Sequence, residues 1–144
     1  MAVRQFTHDD YMLERFIQVS YDIYRGDDNW IPPIKKNLFC EISSQSGFLQ
    51  YPGSLHRHFL AMQGNNIVGR ISAFVNPLLR DKDGMSIGTV GFFECRDDYH
   101  VAEDLLASAA SWLKENAGLS RIWGPMNYDI WHGYRFMTRG FELK

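Results

Sequence analysis

Ser86-Ile87-Gly88-Thr89-Val90-Gly91-Phe92-Phe93-Glu94-Cys95-Arg96-Asp97-Asp98 runs directly into Tyr99-His100-Val101-Ala102-Glu103-Asp104-Leu105-Leu106. The first half reads as a buried strand that breaks at a charged turn. The second half opens an amphipathic helix. The first N–H groups of a helix have no intrahelical partner, so a strand feeding a helix start can hold an anionic ligand.

Downstream, Val101, Leu105, Leu106, Ala109, Ala110, Trp112 and Leu113 form a wide apolar helical face. Glu103 and Asp104 are placed in its first turn and Gly118 at its end. Arg121-Ile122-Trp123-Gly124 reads as a short strand stopped by Pro125. The tail, Met126 to Lys144, has no clean period but holds Trp131, His132, Tyr134, Arg135 and Phe136.

Upstream, Arg57–Gln63 and Ile67–Val75 are strand candidates joined by Gly64-Asn65-Asn66, which is turn chemistry. In the second of them Ile67, Gly69, Ile71, Ala73 and Val75 share one face; Val68, Arg70, Ser72 and Phe74 share the other. Arg80-Asp81-Lys82-Asp83-Gly84 is a further turn, which makes the opening stretch the third strand of an antiparallel meander. Earlier still, Met1–Phe6 alternates as a short strand. Thr7-His8-Asp9-Asp10 has capping-box spacing, and Leu13, Phe16, Ile17, Val19, Tyr21, Ile23 and Tyr24 give a helical stripe ended by Gly26. Pro32 and Pro33 forbid regular structure at the crossing that follows; Lys35–Ser43 is a second helix and Ser44–Ser54 a loop. The layout is α+β: a mostly antiparallel mixed sheet with helices packed on it, in one domain over 1–144.

Net charge of −2 gives no general electrostatic case for nucleic acid or an anionic membrane. No apolar run approaches the roughly 18 residues of a membrane span, and no leader pattern opens the chain, which predicts a cytoplasmic protein. Two cysteines, Cys40 and Cys95, are too few for a disulfide framework, and no Cys/His cluster has metal-ligand spacing. Both read as small buried hydrophobes.

The segment Tyr24-Arg25-Gly26-Asp27-Asp28-Asn29-Trp30-Ile31-Pro32-Pro33, the strand Ile67-Val68-Gly69-Arg70-Ile71, the stretch Gly91-Phe92-Phe93-Glu94-Cys95, the turn Gly124-Pro125-Met126-Asn127 and the tail Trp131-His132-Gly133-Tyr134-Arg135-Phe136 together resemble a divergent bacterial branch of the GNAT acetyltransferase superfamily. The resemblance spans nearly the whole chain. It implies a three-layer α/β fold in which the central strand and the strand after the long helix splay apart. Acetyl-CoA or another acyl-CoA is then the co-substrate: its arm enters the gap beside Phe93, Glu94 and Cys95, and its pyrophosphate rests on the N–H groups of His100, Val101 and Ala102. The family's phosphate loop, Gln/Arg-x-x-Gly-x-Gly/Ala, is matched only at Ala102; Asp97 and His100 occupy its other positions. The family closes with further strands after Ile122, so a shortened sheet is expected, completed by a second copy in a homodimer or by another partner.

Transfer of an acyl group to a small-molecule or peptide amine needs a base and an acid. Glu94 is the candidate base, because a carboxylate between Phe93 and Cys95 could be desolvated; the alternative is a solvated strand-end acid. Aligning Gly140-Phe141 with the family's Tyr-x-x-x-Gly-Phe ending puts Phe136 where the acid Tyr is expected. Tyr134 is taken as its substitute, with Tyr128 also near. A lone His132 reads as structural, though its ordinary pKa suits proton transfer. Cys95 as an acyl-accepting nucleophile would need a base that no pattern specifies. Trp30 and Trp131 read as packing aromatics. The expected function is therefore N-acyl transfer from acyl-CoA to an amine. The alternative is a catalytically inactive module of the same fold used for self-association or partner binding.

Overall fold

In a computed structural model, residues 1–134, 136, 139 and 140 are described. The elements run β1 (Ala2–Phe6), α1 (Asp10–Ile23), α2 (Lys35–Ile42), β2 (Leu55–Gln63), β3 (Asn66–Arg80), β4 (Ser86–Cys95), α3 (Tyr99–Ala117) and β5 (Ile122–Trp123). The strands lie in chain order, β1-β2-β3-β4-β5. The first three pairings are antiparallel, and β4 pairs β5 in parallel across the α3 crossover.

Both faces of the sheet are covered. Alternate residues of β2 go opposite ways. Phe59 and Ala61 pack with Val101, Leu105, Ala109, Trp112 and Leu113 of α3, whereas Leu60 packs with Leu13, Phe16 and Ile17 of α1 and Leu38 and Ile42 of α2. Burying such a side chain contributes about 1.5–3 kcal/mol, so these two layers hold the helices to the sheet. Leu106, expected on the apolar face of α3, is 45% exposed.

Helix ends depart from the capping expectation by small shifts. Asp9, not Thr7, caps α1, its carboxylate accepting from Met12 N at 3.0 Å. The helix stops at Ile23, short of Gly26. Asp98 caps α3, which places Glu103 and Asp104 beyond its first turn. Gly118 closes α3 as expected, at φ 65°.

Two bulges re-aim side chains that a strict period of two would misplace. In the β2–β3 ladder, Ala61 opposes Gly69 but Met62 opposes Ile67, so Val68 is an extra residue. Val68 consequently packs on the α3 side and Ile67 on the α1 side, reversing their expected faces. In the β3–β4 ladder, Ser72 opposes Gly91 but Arg70 opposes Glu94, so Phe92 and Phe93 together face Ile71. Phe92 takes φ 49°, a left-handed conformation uncommon for a bulky residue.

Candidate functional site

The parallel β4–β5 ladder holds only Gly88 with Ile122 and Thr89 with Trp123, while β4 itself continues to Cys95. Past that point the following chain leaves the strand direction and is caught by the β4 edge. Met126 N donates to Val90 O at 2.7 Å, and Phe92 N donates to the Asn127 side-chain oxygen at 2.8 Å. The regular ladder therefore ends at Thr89 and Trp123, but the following chain stays bonded to β4 as far as Phe92. Gly91 permits this approach: a Cβ there would stand 2.3 Å from Asn127 Oδ1 and 2.7 Å from Met126 O.

Beyond the bulge, Glu94 points toward α1 and meets Arg70, its cross-strand partner. Arg70 is 2% exposed; its Nε donates to Glu94 Oε2, and its NH1 donates to Phe16 O at 2.8 Å. The guanidinium also lies 4.9 Å from the Phe16 ring centre. Glu94, the expected base, is thus a partner in a shielded ion pair. The nearby Tyr24 hydroxyl has its pKa raised, first by burial and then by the negative charge of Glu94. Cys95 follows. Burial raises its thiol pKa, and Asp98 and Asp97 raise it further, which keeps the thiol protonated and a poor nucleophile at neutral pH.

At the helix start the three amides expected to meet a pyrophosphate already have acceptors. The Asp98 carboxylate accepts from His100 N at 3.0 Å and Val101 N at 3.4 Å, and Ala102 N donates to Asp98 O at 3.2 Å. His100 is exposed, 3.8 Å from Glu103. A cavity of about 620 Å³ lies instead on the α1 side of this end, lined by Arg15, Gln18, Asp22, Arg25, Asn66 and Arg96 among others.

The tail comes to the same strand end. Phe136, at the position of the expected Tyr, sets its ring 5.9 Å from that of Phe93 in an edge contact. Tyr134 is 46% exposed and forms an antiparallel bridge with Met126. Tyr128 is 4% exposed among Leu49 and Phe74, its hydroxyl 2.7 Å from Ser54 Oγ. Arg135 and Phe141, used in the sequence comparison, lie outside the described residues. Trp30 packs on Tyr21 and Tyr24, whereas Trp131 is 86% exposed. Sequence reasoning weighed His132 but missed the roles of Arg70 and Asn127 and the pairing of Asp129 with His132, whose Oδ1 and Nδ1 are 2.7 Å apart. A cation inside an apolar strand was the available signal for Arg70, and the i, i+3 spacing for the pair.

Among the described residues, no group of three or more His, Cys, Asp or Glu could hold a metal. Among them too, no helix is long and apolar enough to cross a membrane.

Solved acetyltransferases share this architecture. AAC(6′)-Iy, in complex with the bisubstrate analogue CoA-S-monomethyl-acetylneamine, superposes with TM-score 0.61 at 14% identity, covering 96% of this chain and 93% of that one. A predicted acetyltransferase of Clostridium acetobutylicum with acetyl-CoA gives 0.58 at 12% identity, covering 99% and 96%. What they share with this chain is the fold, that of the GNAT acetyltransferases. Among curated proteins it is 33% identical over 133 residues to Protein YghO of Escherichia coli, and 31% identical over 134 residues to the bacterial ceramide synthase of Caulobacter vibrioides. Those matches cover 90% of this chain but only 33% and 34% of the relatives, so the chain spans about a third of the length of the curated relatives it matches. No family model matches the sequence.

Proposed function

We propose that this chain is an acyl-CoA-dependent N-acyltransferase domain, passing an acetyl or longer acyl group to an amine. The observation that carries the reading is the end of the regular β4–β5 ladder at Thr89 and Trp123, while β4 runs on past its bonds to Met126 and Asn127 through Phe93, Glu94 and Cys95 to the start of α3. A strand edge released from its neighbour can pair with an extended amide-bearing arm in the way one strand pairs with another. Phe93, Glu94 and Cys95 line that edge in the proposal, and His100 and Val101 meet the phosphates once the Asp98 carboxylate yields its bonds, with Ala102, bonded to the Asp98 carbonyl, beside them. The relative named a bacterial ceramide synthase supports amide formation, a ceramide being an amide of a long-chain amine. It also favours a long acyl chain and an amine acceptor. Glu94, paired with Arg70, and Tyr134 line the site in this reading, and a cytoplasmic site of action is part of it.

A second reading is favoured by one observation, the occupation of the helix-start amides by Asp98 with Asp97 beside it. Two carboxylates there oppose a pyrophosphate electrostatically. On this reading the fold is a non-catalytic module that binds a second copy or another protein.

Isothermal calorimetry with acetyl-CoA and palmitoyl-CoA separates the two. Binding with a dissociation constant below about 100 μM, weakened at least about fivefold by Phe93→Glu, is the expected result. No heat at millimolar donor would sink the acyltransferase reading, and a dimer in light scattering would then favour the second.

A further inference from the structure

Residues 126–134 form a hairpin clasped to β4. Asn127 N donates to Gly133 O at 2.8 Å, and Met126 bridges Tyr134. The Asn127 side chain works in two directions: Oδ1 accepts from Phe92 N at 2.8 Å, and Nδ2 donates to His132 O at 3.4 Å. One amide side chain therefore connects the main chain of His132 to the bulge of β4, just before Phe93, Glu94 and Cys95.

Within the hairpin, Asp129 Oδ1 accepts from Trp131 N at 2.8 Å and lies 2.7 Å from His132 Nδ1. An ionised carboxylate only accepts, so Nδ1 carries the hydrogen and Nε2 keeps its lone pair in the neutral ring. The side chains of His132 and Asp129 are 30% and 22% exposed. Phe48 lies against the imidazole, ring centres 4.4 Å apart, and Tyr128 meets it edge-on at 6.2 Å. Glu41 of α2 lies within electrostatic reach of it. The Glu41 carboxyl pKa is raised by burial and pulled back down by the positive charge of His132. The imidazole is thus fixed in tautomer by the Asp129 carboxylate. Glu94, by contrast, is engaged by the Arg70 guanidinium.

The geometry points to His132 as the proton-transfer residue of acyl transfer at this strand edge, with Asp129 as its positioning residue and a primary amine as acceptor. The inference rests on the acyltransferase reading above. The amine nitrogen forms the C–N bond to the thioester carbonyl, and its proton passes to His132 Nε2. The C–S bond then breaks, its electron pair stays on the CoA sulfur, and the imidazolium returns the proton there. Amide and free thiol leave, and the ring is neutral again. Asp129 stabilises the imidazolium between the two steps.

The test uses the full chain, with acetyl-CoA and palmitoyl-CoA as donors and dodecylamine as acceptor, followed by thiol release. His132→Asn keeps a donor near Asp129, and His132→Gln is the second variant should the first fold poorly. Either is expected to lose about 10²–10⁴-fold in kcat with donor affinity within about twofold of the parent. The acid limb of the pH–rate profile disappears with it. Asp129→Asn is expected to move the His132 ring hydrogen from Nδ1 to Nε2 in ¹⁵N spectra and to lower kcat with donor affinity unchanged, the fall in kcat at constant affinity being what a purely structural role would not produce. Turnover in both His132 variants above a tenth of the parent overturns the dyad and leaves the acyltransferase reading standing. Parent protein that binds donor without releasing thiol also overturns the dyad; parent protein that binds neither donor overturns both.

Discussion

Arg70 and Glu94 meet as direct cross-strand partners only because Phe92 is inserted between Gly91 and Phe93 in the β3–β4 ladder. Val90 packs toward α3, and unbroken alternation would send Phe92 and Glu94 the same way. The bulge turns Phe92 and Glu94 toward α1 instead, where the Arg70 side chain is 3% exposed against Phe16. The geometry that aims Glu94 also supplies its counter-charge.

Removing one member of that pair strands the other. Glu94→Gln leaves a buried guanidinium short of its anion, and Arg70→Met frees the carboxylate and Phe16 O. Each single change is expected to cost about 3–5 kcal/mol, and the double change markedly less than the sum. Urea denaturation of the four proteins measures the coupling; strictly additive losses would show that the pair contributes nothing jointly.

The clasp to β4 depends on a missing Cβ. Gly91→Ala puts a methyl group 2.3 Å from Asn127 Oδ1, so the hairpin must shift. The expected cost is about 1–3 kcal/mol. Hydrogen exchange at Phe92 N should accelerate more than at Val68, which lies across the sheet. Equal protection in parent and variant would show that the hairpin tolerates the methyl group.

Acid should weaken the fold through two histidines. Burial, with the charges of His8 and Arg57, lowers the His56 pKa from 6.5 to about 4. Burial and His56 lower that of His58 to about 3, its ring nitrogens meeting Ser72 Oγ at 2.7 Å and Ile42 O at 3.3 Å. Unfolded histidine binds its proton near pH 6.5 and the folded rings do not, so their stabilisation is present above pH 6.5 and is lost as pH falls toward 4 and below. The loss is on the order of a few kcal/mol for each ring. Glu41, raised by burial, acts in the opposite sense, its contribution fading as pH rises through its folded pKa. Stability measured between pH 7 and 4 should fall in the parent and fall less in His58→Gln; parallel curves would dismiss the assignment.

Thiol chemistry should separate the cysteines. Cys40 is exposed, whereas Cys95 is half-buried with its pKa raised by burial and by Asp98 and Asp97. Iodoacetamide at pH 7 is expected to label Cys40 first by at least about tenfold, with the Cys95 rate climbing as pH rises. Donor turnover should survive Cys95→Ser; its abolition would restore the covalent route.

The sequence by itself determined the element order and the sheet type. The apolar spacing of Leu13, Phe16 and Ile17 and of Val101, Leu105 and Ala109 can be satisfied only by helices with one buried stripe. The Gly64-Asn65 and Asp81–Gly84 turns force the antiparallel pairs. Such signals are local, since each is written within one or two turns of chain. The positions of Phe93, Glu94 and Cys95 at a strand end were legible for the same reason. Which way Glu94 points, that Arg70 answers it, that Asp98 occupies the amides of His100 and Val101, and that Asn127 brings His132 to β4 were decided by the tertiary structure alone. A one-residue bulge reverses a side chain without changing composition or period in any window. Hydrogen bonds such as Phe92 to Asn127, 35 residues apart, exist only once the sheet has closed over its helices.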